Sequence, residues 1–145
     1  MKELEPEAAS TIMVVEDCAS NMMLFCDLLE RVGFDTLRAE TGFHAIRLAR
    51  THRPDLILLD IKLPDIDGTK VARWFRANEY LRDIPIVAVT AFAMPGDRER
   101  ILNAGFDAYV SKPISVRDFL EVVERFVSAK SLSFGETATQ LDARC

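Results

Sequence analysis

Short apolar runs alternate with stretches of helical periodicity along this chain, and that alternation constrains the fold more than any other feature. The runs are Ile12–Val15 (IMVV), Thr36–Ala39 (TLRA), Leu56–Leu59 (LILL), Ile86–Val89 (IVAV) and Ala108–Val110 (AYV). Each is followed by a helix candidate. Leu24, Phe25, Leu28, Leu29 and Val32 mark the apolar face of the first, and Gly33 is placed to end it. Met22 and Met23 fall off that face, so both are expected to be at least partly exposed. Ala45, Ile46, Leu48 and Ala49 mark a second helix, stopped by Pro54, and Val71, Ala72, Trp74 and Phe75 a third. A fourth holds Ile101 and Leu102 between Asp97 and Gly105. The last opens on a capping pair, Ser115 with Asp118, and runs through Phe119, Leu120, Val123, Phe126 and Val127.

Strand followed by helix, repeated, predicts an α/β domain whose parallel sheet is covered by helices on both faces. The most apolar strands, Ile12–Val15, Leu56–Leu59 and Ile86–Val89, should be central, because only a strand buried on both sides loses its polar alternation. The chain has 145 residues, enough for one such domain, expected over 11–127. Residues 1–10 and the polar stretch 128–145 are expected to be flexible ends. A net charge of −5 argues against a nucleic-acid partner. No apolar stretch approaches the roughly 18 residues of a membrane span. The acidic start MKELEPEAAS has no apolar core of a secretory signal. Cys18, Cys26 and Cys145 are odd in number and lack metal-ligand spacing, so they read as reduced thiols. A cytoplasmic protein is expected.

A sheet of this kind places its functional site at the carboxyl ends of its strands. The first strand ends in Glu16 and Asp17, the third in Asp60 and the fourth in Thr90; Lys112 and Pro113 follow the fifth. Singly, each has an ordinary explanation: a helix cap, a solvated loop, a β-branched residue in a strand. Their convergence on one sheet edge is what carries chemistry. Three clustered carboxylates repel one another unless a cation sits among them, and a hard ion with oxygen ligands, Mg²⁺, suits them. One carboxylate could then act as a nucleophile towards a phosphoryl group. Lys112 and the metal would neutralise phosphoryl oxygens, and Thr90 could donate a hydrogen bond to one.

These residues resemble the response-regulator receiver family. The matching elements are Val15-Glu16-Asp17, the run from Asp60 through Pro64 to Gly68, Thr90-Ala91, and Tyr109-Val110-Ser111-Lys112-Pro113. The resemblance spans roughly Thr11 to Val127 and implies a flavodoxin-like fold, five strands in the order 2-1-3-4-5 with five helices. It implies that Asp60 is the phosphoacceptor, and that Asp17, Asp60 and the Lys62 main-chain carbonyl hold Mg²⁺, with Glu16 acting through water. Lys112 and Thr90 would bind the phosphoryl group, and Thr90 and Tyr109 would form the switch. Glu16 stands where Asp is commoner, keeping the charge and lengthening the reach. Neither His44 nor His52 matches a phosphorelay histidine; both are expected on the surface of the second helix. Met22, Met23 and Pro113 are the candidate docking surface for the phosphodonor. Lys62 and Phe92 flank the expected approach of hydrolytic water, and Phe92 should obstruct it.

The implied partners are a sensor histidine kinase or histidine phosphotransfer protein and a downstream protein target, the chain being a monomer or a phosphorylation-dependent homodimer. With no output domain in the sequence, the output is expected to be a protein contact made by the receiver itself. Catalysis would be limited to taking and slowly losing its own phosphoryl group. A phosphotransferase of the haloacid-dehalogenase kind needs a second Asp two residues after the nucleophile, where Lys62 stands. Neither a P-loop nor a G-x-G-x-x-G turn supports nucleotide binding. The alternative is a pseudo-receiver, which binds partners without taking phosphate.

Overall fold

The structure, a computed structural model, describes residues 10–91 and 96–127. Five strands and five helices alternate: β1 (Thr11–Val15), α1 (Ala19–Arg31), β2 (Asp35–Ala39), α2 (Gly42–Thr51), β3 (Leu56–Leu59), α3 (Gly68–Ala77), β4 (Ile86–Thr90), α4 (Asp97–Asn103), β5 (Ala108–Ser111) and α5 (Val116–Phe126). All strand pairs are parallel and the sheet order is β2-β1-β3-β4-β5. The three apolar runs are the central strands, as their composition requires. Both edge strands carry exposed residues.

Side-chain alternation along the strands divides the interior in two. Met13, Val15, Ile57, Leu59, Ile86 and Ala88 face α2, α3 and α4, while Ile12, Val14, Leu56, Leu58, Val87 and Val89 face α1 and α5. Burying these faces supplies the main driving force for the fold. Helix ends follow from local chemistry. Beyond α1, Gly33 takes φ 104°, its N–H donates to the Glu30 carbonyl and that of Phe34 to Leu29, a Schellman closure that needs a residue without a Cβ. The end of α4 closes in the same way. Ser115 Oγ accepts the Asp118 N–H at the start of α5, as expected.

One expectation is corrected. The buried stripe of α1 is Met22, Phe25, Cys26 and Leu29, so Met22 is core and Leu24 faces solvent. This half of the helix is apolar nearly all round, so periodicity leaves its rotation undetermined. Packing fixes it: the Phe25 ring stacks on Phe119 of α5 at 5.4 Å, and Cys26 Sγ lies 3.8 Å from Met22 Sδ. Met23 is exposed as expected. His44 is half-buried on α2 and His52 is exposed just past its end.

On the far side, Arg76 at the end of α3 ties the loop before β4 to the loop before β5. Its guanidinium donates to the carbonyls of Gly105, Arg82 and Ile84 and to Asp107 Oδ2, which also accepts the Ile86 N–H at the start of β4. Phe92, Cys145 and the expected flexible ends, save Ser10, lie outside the described residues. No described helix is long and apolar enough to cross a membrane.

Candidate functional site

Parallel strands bring their carboxyl ends to one edge, and the ladder there sets the site. The Asp60 N–H donates to the Val15 carbonyl and the Glu16 N–H to Ala39, so β1 and β3 deliver their acids side by side. Glu16 and Asp60 are buried, whereas Asp17 is exposed. Oxygens of Glu16, Asp17 and Asp60 lie within 4.8 Å of one another. From beyond β5, Lys112 reaches across: its Nζ donates to Glu16 Oε1 at 2.8 Å and Asp60 Oδ2 at 2.9 Å. Burial works to lower the Lys112 pKa, but hydrogen bonds and charge from Asp60 and Glu16 outweigh it and hold the ammonium above its ordinary range. The remaining oxygens accept backbone donors, Glu16 Oε2 from Cys18 N–H at 3.1 Å and Asp60 Oδ1 from Lys62 N–H at 3.2 Å.

Three carboxylates against one ammonium leave a formal surplus of negative charge in a partly buried crevice. Such a donor set, all oxygen and open to solvent on the Asp17 side, fits a hard divalent cation. Lys62 stands at the rim with its side chain exposed.

Thr90 is buried at the end of β4, and its carbonyl accepts the Lys112 N–H at 2.9 Å. Register pairs Ala88 with Tyr109 and Thr90 with Ser111, so Thr90 and Tyr109 project from the same face of neighbouring strands. Tyr109 is partly exposed, in a groove it shares with Arg98, Pro113, Asp118 and Arg125. Cys18 is an exposed free thiol beside the site, and burial pushes the Cys26 thiol pKa up. Met23 and Pro113 are exposed, but Met22, buried in the core, is not available to a partner.

Two further residues position the site, and the role of the first is not legible in the sequence. Asp65, in the loop after Asp60, caps α2: its Oδ1 accepts the Gly42 N–H at 2.8 Å and its Oδ2 the Phe43 N–H at 2.9 Å. Thr41 Oγ1 takes the next, from His44, so the opening N–H groups of α2 are satisfied by two segments. Burial opposes ionisation of Asp65, but the N–H groups of Phe43 and Gly42 hold its carboxyl below the usual range. The second feature is Gly68, whose N–H donates to the Ile61 carbonyl at 2.7 Å, pressing the start of α3 against the Asp60 backbone. The Asp67-Gly68 pair does signal a helix start, and Asp67 Oδ1 duly accepts the Thr69 N–H at 2.7 Å.

The chain matches the response regulator receiver domain over residues 12–124. It is 51% identical over 117 residues to the polar-differentiation response regulator DivK of Brucella anthropi, covering 81% of this chain and 95% of that protein, and equally identical to DivK of Brucella ovis. Among solved structures, it resembles the receiver domain of a Pseudomonas aeruginosa sensor histidine kinase, whose active-site cleft coordinates a magnesium ion. The TM-score is 0.77 at 35% identity, covering 84% of this chain and all of that one. A receiver domain of a Syntrophus aciditrophicus histidine kinase gives 0.77 at 32% identity, covering 83% and 91%. Sheet order, the acidic edge bridged by a lysine, and these likenesses agree: the chain belongs to the response-regulator receiver family, whose members act as signalling switches rather than catalytic enzymes.

Proposed function

We propose that the chain is the phosphoacceptor switch of a two-component or phosphorelay pathway, with Asp60 taking a phosphoryl group from a histidine of a sensor kinase or phosphotransfer protein. The observation that carries this is Lys112 Nζ lying within hydrogen-bond distance of both Asp60 and the buried Glu16, with Asp17 alongside. An Asp60 oxygen attacks phosphorus, the P–N bond to the donor imidazole breaks, and an acyl phosphate forms. Lys112 exchanges part of its contact with Asp60 for a phosphoryl oxygen, and the Thr90 hydroxyl holds another. Asp17, Asp60 and the Lys62 carbonyl would hold Mg²⁺, with Glu16 acting through water. When bound, the ion supplies positive charge to the phosphoryl oxygens. Exposed Met23 and Pro113 are the docking residues that remain for the donor.

Output follows from Thr90 and Tyr109 sharing a sheet face: drawing the hydroxyl towards the phosphoryl group frees space for the ring to turn. A downstream protein reads the altered surface. Intact-mass spectrometry after acetyl phosphate and Mg²⁺ tests the assignment. One phosphoryl group should be gained by the natural protein and none by Asp60→Asn, and undiminished labelling of the variant would sink it.

A further inference from the structure

Charge is distributed unevenly over the helices. The first, fourth and fifth carry carboxylates, among them Asp27 and Glu30, Asp97 and Glu99, and Asp118 and Glu121. Neither α2 (GFHAIRLART) nor α3 (GTKVARWFRA) contains one. These two helices lie side by side on one face of the sheet. Their solvent stripes are Phe43, Arg47 and Arg50 on α2, spaced i, i+4, i+7, and Lys70 with Arg73 on α3. Among the described residues, no carboxylate lies within salt-bridge distance of Arg47, Arg50 or Arg73. Arg47 with Arg50, and Lys70 with Arg73, are like charges one turn apart, an arrangement that costs each helix stability. Of the carboxylates between the two helices in sequence, Asp55 accepts the Thr11 N–H, and Asp65 and Asp67 are taken up by helix N-termini.

We infer that the α2–α3 face is a docking surface for an acidic polypeptide segment, engaged through Arg47, Arg50 and Arg73, with exposed Phe43 as an apolar anchor at one end. Complementarity selects this occupant. A chain of net charge −5 is repelled at a distance by nucleic acid or an anionic membrane, whose charge extends far beyond one patch. A short acidic segment meets only the local field. Arginine, which supplies three of the four cations on these stripes, presents a planar fork matched to carboxylates. The surface is separate from the Asp60 crevice and from the Tyr109 groove, so it offers a second contact alongside those of the phosphorylation switch.

The test is fluorescence anisotropy with a labelled glutamate-rich peptide bearing one terminal leucine, and, in parallel, a single-stranded oligonucleotide of equal charge. The natural protein should bind the peptide in a salt-sensitive manner and more tightly than the oligonucleotide. The triple variant R47E/R50E/R73E should bind about tenfold more weakly, the middle of the range that three lost exposed ion pairs imply. A control of the same net charge, R31E/R117E/R125E, should retain binding. The neutral variant R47Q/R50Q/R73Q, expected to be no less stable than the natural protein in urea, should fall between the two, which separates loss of docking from loss of fold. Failure of the natural protein to bind the peptide, equal losses in both triple reversals, or tighter binding of the oligonucleotide would each overturn the proposal.

Discussion

Gly68→Ala tests how tightly α3 is packed against the end of β3 that carries Asp60. A Cβ added there would stand 2.5 Å from the Asp60 carbonyl oxygen and 2.7 Å from Ile61 Cα. Both are backbone atoms, so no side chain can rotate out of the way. Relief requires the start of α3 to retreat by about 1 Å to reach ordinary contact. Overpacking of this kind costs about 1–3 kcal/mol. Retreat also stretches the Gly68 N–H bond to the Ile61 carbonyl, now 2.7 Å, and weakening such a bond adds roughly 1 kcal/mol. Alanine restricts the unfolded chain and returns about 0.5–1 kcal/mol. The net loss should be about 2 kcal/mol, and at roughly 4 °C per kcal/mol for a domain of this size the Tm should fall by roughly 8 °C. Urea unfolding should show a lower midpoint at unchanged m. Because the displaced atoms belong to Asp60 and Ile61, labelling by acetyl phosphate should also slow under conditions where the variant is folded. A variant as stable as the natural protein would refute the argument, since it would mean that the helix start can move without cost.

Lys112→Met should leave Glu16 and Asp60 buried with no cation between them. Breaking a fully buried pair costs about 3–5 kcal/mol, and the opening of this crevice to solvent reduces the expectation to about 2 kcal/mol. Thermal melts with and without Mg²⁺ should show a destabilised variant that the ion partly restores; unchanged stability without the ion would count against the bridge. As the Lys112 pKa is raised by folding, its contribution should be complete below the free lysine value and lost as pH climbs through the folded one, at the alkaline end. Asp65→Ala should open two N–H groups at the start of α2, costing about 1 kcal/mol at neutral pH. The folded carboxyl is held below its usual pKa, so this contribution exists above about pH 4 and fades as pH falls through the folded value. The stability gap between natural protein and variant should therefore narrow in acid; a gap equal at both ends would show that the charge is not what caps the helix.

Much of this site is legible in the order of residue types along the chain. Uninterrupted apolar runs identify the strands, and the polar residues that follow them mark the strand ends. Parallel topology then obliges all those ends to meet at one edge, which is why Glu16, Asp17, Asp60, Thr90 and Lys112 can be grouped by position alone. The Met22 correction shows where that reasoning stops. Met22, Met23 and Leu24 are similar in hydrophobicity, so a helix built from them has no unique inward face until Phe119 arrives to stack on Phe25. Pro113 and Met23 are separable from Met22 only by burial.

Side-chain type and local spacing account for the α/β alternation, the central strands, the helix-ending glycines and the chemistry gathered at the strand ends. They do not account for the bridge that Lys112 makes between Glu16 and Asp60, for the cap that Asp65 places on a helix from another segment, or for the two loops joined by Arg76. Those contacts pair polar groups distant along the chain. A charged side chain can satisfy its donors or acceptors with many partners, and which partner it meets is fixed only when the apolar faces of the sheet and helices have packed.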